Sequence, residues 1–374
     1  MLDIMQAKIG LIIVIIGVLV LPFKVRVIER NLEIFLFVSG ILALTLSGFI
    51  PLPGEQTGWS WKILTEALTT PLSITNIYGI PIGIVQIVLL VGIIIYIWYR
   101  QIELAIYNLV KKFSVSTIVF GLIITLGLIS SIISAILAAI LLVEIICALP
   151  LDRGSKIDVC VVACFAIGLG AALTPLGEPL STIVVAKLSG APHYAGFGFL
   201  ISILGIYIIP TVILLGFVGV FLYKRGSAGT GVSECHLQRE TLRQVIVRSG
   251  KVYLFIMALV FLGEGFKPIV LDYVIQIPAE GLYWVNMVSA VLDNATLAAA
   301  EIGPALSVQQ IKSAVMGLII AGGMLIPGNI PNIIAAGKLE ITSKEWARRG
   351  VPLGLVLMVC FFGILFIPQY IGLA

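Results

Sequence analysis

Predominantly apolar runs at about 9–22, 32–50, 80–99, 195–222, 252–271 and 350–367 are the strongest constraint on this chain. A bilayer core takes about 20 helical residues, and most of these runs have that length. They are too long for barrel strands, and the ten-residue alternation of a barrel is absent. Only 11% of the 374 residues are charged and 60% are hydrophobic, where soluble domains carry about 25% charge. The pattern excludes a soluble globular domain. It predicts an all-α, multi-pass protein of the cell (plasma) membrane, whose first partner is the lipid bilayer. The run 9–22 has no small-residue cleavage site after it and reads as a retained helix. A net charge of +4 gives no reason to expect a nucleic-acid partner.

Three further regions, 115–150, 157–190 and 279–337, are apolar but interrupted. The first is too long for one crossing, and small polar residues, Ser130–Ser134, occupy its centre. A re-entrant helical hairpin from the cytoplasm fits it, with Ser134 at the tip. A second hairpin, from the outside, fits 279–303. With the N-terminus outside, these two hairpins place all of the 23 Lys and Arg on the cytoplasmic side except Lys8, Lys62, Lys187, Lys267 and Lys312. Turning either hairpin into a full crossing destroys that positive-inside bias. Residues 54–76, with Trp59 and Trp61, read as an interfacial stretch.

The division that follows is a scaffold of helices at 1–114, a first repeat core at 115–223, a cytoplasmic linker at 224–251 and a second repeat core at 252–374. The repeat rests on two alignments. GEPLSTIVVAKL (177–188) over GNIPNIIAAGKL (328–339) matches Gly177 with Gly328, Ile183 with Ile334, Lys187 with Lys338 and Leu188 with Leu339. Upstream, SSIISAILAA (130–139) lies over SAVLDNATLA (289–298). Hairpin tip followed by a Pro/Gly-interrupted helix, twice and in opposite orientation, is the build of many secondary transporters. Pro175, Gly177 and Pro179 cannot sit in a continuous helix, nor can Pro327, Gly328 and Pro331. Unwound backbone at membrane depth persists where it lines a cavity or is buried in protein. Its carbonyls can then ligate a cation.

The polar residues at these places are the candidate ion site. Asp293 and Asn294 stand at the predicted outer tip, followed by Thr296. An acid at bilayer depth costs about 2.5–3.5 kcal/mol and is a functional candidate by default. Asp293 can also cap a helix starting at Ala295. Glu178 in the first break either caps the half-helix at Pro179 or serves an ion. Asn329 and Asn332 are the amides of the second break, read as oxygen ligands or as turn residues. Thr174, Ser181 and Thr182 line the first break, and Ser134 is a weaker candidate. Asp293, Asn294, Glu178 and Asn329 are the expected Na+ ligands. Glu144, Glu264 with Lys267, and Glu301 read as structural groups near the membrane surfaces. No Lys, Arg or His falls inside the breaks or tips, so the site suits a hard cation held by oxygen, with carboxylates that can alternatively take protons. Neither HExxH nor Gly-x-Ser-x-Gly occurs, so no enzyme activity and no cofactor are expected; Na+ and H+ would be transported ligands.

SAVLDNATLAAAEIG resembles the second-hairpin Asp-Asn motif of NhaD-type antiporters, and ALTPLGEPLSTI their Thr-Pro-x-Gly-acid element. PGNIPNII resembles the second broken-helix motif of divalent anion/sodium symporters. The chain is thus similar to the ion transporter superfamily, and over its length to a small prokaryotic family of predicted cation transporters without assigned function. The resemblance implies ten or so helices plus two hairpins, a homodimer through a scaffold domain, and elevator-like motion. It also implies an ion site at Asp293, Asn294, Glu178, Asn329 and Asn332. At the first tip, where such proteins carry Ser-Asn-Thr or Asp-Asn, this chain has Ser134 and Ala135. A cation (Na+)/proton antiporter is the leading expectation. A Na+-coupled symporter of a di/tricarboxylate or oxyanion, and a channel, are the alternatives.

Overall fold

The computed structural model describes residues 3–25, 27–28, 31–52, 57–73, 75–77, 80–225, 241–269, 272–273, 276–290 and 294–370. Helix dominates them. Strand is limited to an antiparallel pair, β1 (Thr75–Ile77) and β2 (Ile80–Ile82).

The early apolar runs become α1 (Ile4–Lys24) and α2 (Leu32–Ser47). The stretch after them holds α3 (Trp61–Thr69), capped by Ser60, whose Oγ accepts from the Ile63 amide. This helix buries Ile63 and Ala67 and leaves Trp61 exposed, the two-sided pattern of an interfacial helix. α4 (Ile84–Lys112) bends at Trp98, where φ is −100° and ψ 16°. α10 (Leu242–Ile269) packs along α2, and α1, α3 and α4 also lie against it. The predicted linker, 224–251, has helix at both ends. The helix Phe199–Arg225 holds Lys224 and Arg225, α10 holds Leu242–Lys251, and residues 226–240 lie outside the described residues.

The remaining helices form two series in the same order. The first is α5 (Val115–Ile133), α6 (Ala135–Ala148), α7 (Arg153–Ala171), α8 (Pro179–Lys187) and α9 (Phe199–Arg225). The second is α11 (Ala279–Val285) with a 3-10 turn (Asn286–Ala290), α12 (Asn294–Glu301), α13 (Val308–Gly322), α14 (Ile330–Lys338) and α15 (Ser343–Tyr370). Each runs from a pair of arms to a central helix, an interruption, a nine-residue helix and a long closing helix. The series interlock: α6 packs on α14, and α12 on α8. One apolar core joins both, and α7 is its axis, buried from Ser155 to Ala171 except at Asp158.

Among the described residues, five helices are long and apolar enough to cross a membrane: Val115–Ile133, Arg153–Ala171, Phe199–Arg225, Leu242–Ile269 and Ser343–Pro368. The chain has the make-up of a multi-pass membrane protein.

Caps and ion pairs fix the ends. Asp152 caps α7 by accepting from the Gly154 and Ser155 amides, and the Ser155 hydroxyl donates to its other oxygen. That hydroxyl, foremost, holds the Asp152 carboxyl below the usual carboxylate range. A depressed carboxyl contributes stability above its unfolded pKa and loses it as pH falls through the folded value. Asp152→Ala is expected to cost about 1 kcal/mol at neutral pH and nothing in strong acid, read as the thermal midpoint at the two pH values. Arg153 pairs with Glu345 at 3.2 Å, Arg349 with Asp158, and Lys338 with Glu144 at 3.5 Å. All three join one series to the other. Glu264 and Lys267 form the expected pair, at 3.8 Å.

Candidate functional site

At the first break, α7 stops at Ala171 and α8 starts at Pro179. Proline is well suited to that first helical position, since its missing N–H has no partner in an opening turn. Pro179 therefore begins the second half-helix rather than interrupting one, and the unwound backbone is residues 172–178. It is buried nearly throughout, so its polar groups need partners inside the protein. Hydroxyls supply many of them. Thr174 Oγ1 donates to the Ser131 carbonyl, Ser181 Oγ to Ala171 O at 3.3 Å, and Thr182 Oγ1 to Pro175 O at 2.6 Å. All three predicted hydroxyls thus lie on the break, each tied to a backbone carbonyl.

Glu178 is the N-cap residue of α8, extended at φ −155° and ψ 163°, yet its side chain makes no capping bond. The carboxylate instead meets the second series: Asn294 Nδ2 donates to Glu178 Oε2 at 3.5 Å. Both residues are buried, at 4% and 2% exposure. An acid of the first break and an amide of the second hairpin, distant in sequence, are thereby brought together.

The second break repeats the first. α13 stops at Gly322, a 3-10 turn spans Ile326–Gly328, and α14 starts at Ile330 with Pro331 in its opening turn. Asn329 stands where Glu178 stands, as an extended N-cap residue (φ −152°, ψ 145°) without a side-chain capping bond. Its amide lies against Gly168 of α7, where a Cβ would come within 2.7 Å of Nδ2. Asn332 matches Ser181 in the repeat: Ser181 donates to Ala171 O, and Asn332 Nδ2 donates to Gly322 O at 2.9 Å and to Leu325 O at 2.9 Å.

The first hairpin turns on a single residue. α5 stays helical through Ser130 and Ser131, which the sequence suggested as part of the turn, and only Ser134 separates it from α6. The Ser130 hydroxyl bonds Gly127 O and Ile167 O. Ser134 has φ 78° and ψ 147°, close to a region almost confined to glycine and costing about 1–3 kcal/mol. The turn docks on the first break, with the Ala135 amide donating to Gly177 O at 2.7 Å. Ser134→Gly is expected to raise stability by about 1 kcal/mol. A more stable but inactive variant would make the Ser134 hydroxyl a ligand.

On the second hairpin, the described residues of α12 run from Asn294 to Glu301. Thr296 belongs to α12, but its side chain is outside the described residues. Asp293 lies outside them altogether.

Sequence reasoning passed over several buried polar groups. Glu301 is 7% exposed and accepts from Asn286 Nδ2 at 2.7 Å, so it is buried within the protein. Ser289 and Ser313 are fully buried, with hydroxyls that make no hydrogen bond. A single serine in an apolar run gives no local signal; only the repeat, which pairs Ser289 with Ser130, marked one of them. Among the described residues no three His, Cys, Asp or Glu side chains cluster as a metal site. What the breaks offer is one carboxylate, amides, hydroxyls and carbonyls.

The chain belongs to the family described as Protein of unknown function (DUF1646), whose model matches residues 8–367. No curated protein matches it.

Proposed function

We propose that this DUF1646 protein is a secondary active transporter of the plasma membrane that exchanges a monovalent cation, Na+ foremost, for protons. The observation that carries the reading is the meeting of Glu178 and Asn294 at the first break. A carboxylate buried at that depth is held against a solvation penalty of several kcal/mol. A cation or a proton can neutralise it, and one carboxylate does not hold both. Occupancy by either ion, but not by neither, in the moving state is sufficient for coupled exchange.

Within that reading Glu178 is the exchanging group. Asn294 supplies an amide that donates to the carboxylate when no cation is present. The unwound backbone at 172–178 and 323–329 supplies carbonyls. The two interlocked series are read as inverted repeats whose hairpins close the site from opposite sides, with the α1–α4 and α10 layer as the scaffold and dimer contact. Movement of the two-series core against that layer gives alternating access of the elevator type.

The test is flux. Purified protein in liposomes carrying a pH dye is given a pulse of NaCl, LiCl or choline chloride. The expected result is proton release with Na+ or Li+ and none with choline. Na+-driven uptake of citrate or an oxyanion at constant internal pH would instead favour the symporter.

A further inference from the structure

A groove of about 330 Å3 lies along α5, and none of its lining residues belongs to either break. Phe113, just before the helix, stands at one end and Leu126 at the other, and Ile145 of α6 forms a side wall. Gly121 opens the middle, since no atom lies within 4 Å of where its Cβ would be. Thr117 and Thr125 bring hydroxyls, but Thr117 Oγ1 is already paired with Ser114 Oγ at 2.9 Å. An enclosed water asks for two to four polar partners, and this lining does not offer them. The space suits an apolar occupant.

Size and surroundings say which one. Thr117 and Leu126 are about 14 Å apart along the helix, close to the roughly 15 Å of one leaflet of the bilayer core. The volume spread over that length gives a mean section of about 24 Å2. A helix about 10–12 Å across needs roughly 80 Å2 or more. Neither a partner's helix nor one from a second copy fits, whereas a single hydrocarbon chain does. α5 has the length and apolarity of a spanning helix, which puts such chains beside it. The mouth is cationic. Lys112 Nζ lies 5.8 Å from the centre of the Phe113 ring. The Ser116 and Tyr223 hydroxyls pair at 3.1 Å and bring the end of α9, with exposed Lys224 and Arg225, to the same level. No acid occurs between Ser114 and Val143 or between Phe199 and Arg225, and Glu144, the next residue, is paired with Lys338.

We propose that the groove seats one acyl chain of an anionic phospholipid, whose phosphate is held by Lys112 together with Lys224 and Arg225. A zwitterionic lipid brings the same chain without the net charge and binds more weakly. The seated lipid braces the first hairpin and the end of α9 from the membrane side. This inference stands apart from cation exchange and does not require it.

The test is the thermal midpoint of the delipidated full-length protein in detergent, titrated with phosphatidylglycerol or with phosphatidylcholine of the same chains. A ligand of the folded state raises the midpoint as its concentration passes Kd. Phosphatidylglycerol is expected to give a saturable rise, and phosphatidylcholine to need about tenfold more or beyond. Lys112→Ala, at an exposed position, is expected to raise the half-maximal phosphatidylglycerol concentration about fivefold. Gly121→Leu fills the groove and is expected to abolish the saturable rise. Gly250→Leu, on α10, also has no atom within 4 Å of its Cβ position and is expected to keep it. A wild-type response in Gly121→Leu overturns the proposal, as do equal half-maximal concentrations for the two lipids or no rise with either. Where Gly121→Leu does not fold, Lys112→Ala decides alone: a wild-type half-maximal concentration there overturns the proposal. A fall in oligomeric mass in Gly121→Leu with an unchanged lipid response would place a second copy in the groove, and overturns it too.

Discussion

Glu178→Gln in liposomes is expected to reduce Na+-driven proton release to the level of protein-free vesicles while the protein remains folded. Glutamine has the size of glutamate and keeps an oxygen where Asn294 Nδ2 donates at 3.5 Å, so the local packing is undisturbed. What it loses is the charge, and with it the ability to hold a cation or a proton in turn. Asn294→Ala is expected to do less. It removes one hydrogen bond that stabilises the cation-free carboxylate, worth about 1.5–3 kcal/mol, and so should tighten Na+ binding about tenfold or somewhat more and leave exchange measurable. Activity of Glu178→Gln close to wild type would remove the carboxylate from the mechanism.

The second large effect is on stability. α5 and α7 cross with Gly170 set on Gly127: a Cβ at Gly170 would fall on the Gly127 carbonyl, with Ser130 Oγ 3.1 Å away. The obstacle is backbone, which no rotamer change relieves. Gly170→Ala must therefore force the two helices apart, opening the bond from Ser130 Oγ to Ile167 O at 3.0 Å. Overpacking of 1–3 kcal/mol plus a lost buried bond of about 1 kcal/mol gives an expected loss of roughly 3 kcal/mol. Gly121→Ala is the control. It lies on α5, the helix of Gly127, and no atom is within 4 Å of its Cβ position, so helix propensity alone acts and the variant should gain up to about 1 kcal/mol. Equal midpoints for the two variants would contradict the crossing.

Those contrasts show what the sequence disclosed and what it withheld. Proline and glycine announced both breaks, because each imposes a backbone constraint at its own position; the structure moved the boundary only by placing Pro179 and Pro331 in the opening turns of α8 and α14. Glu178 and Asn329, which the sequence alignment sets over one another, have similar backbone angles. Contacts between distant segments were not legible. Nothing local to Glu144 or Lys338 says that they pair across 194 residues. Nothing local to Glu301 announces that the amide of Asn286, from another turn, donates to it inside the protein. The turn at Ser130–Ser134 was drawn too wide because serine in a membrane helix marks close packing as readily as a bend.

The account turns on one carboxylate that a cation and a proton occupy in alternation. The most direct measurement dispenses with transport: NaCl is added to purified protein in weakly buffered detergent solution, and the released protons are counted against the fraction of protein bound. Wild type is expected to release protons as Na+ binds, and Glu178→Gln to release none. Saturable Na+ binding to wild type with no proton released would contradict exchange at Glu178.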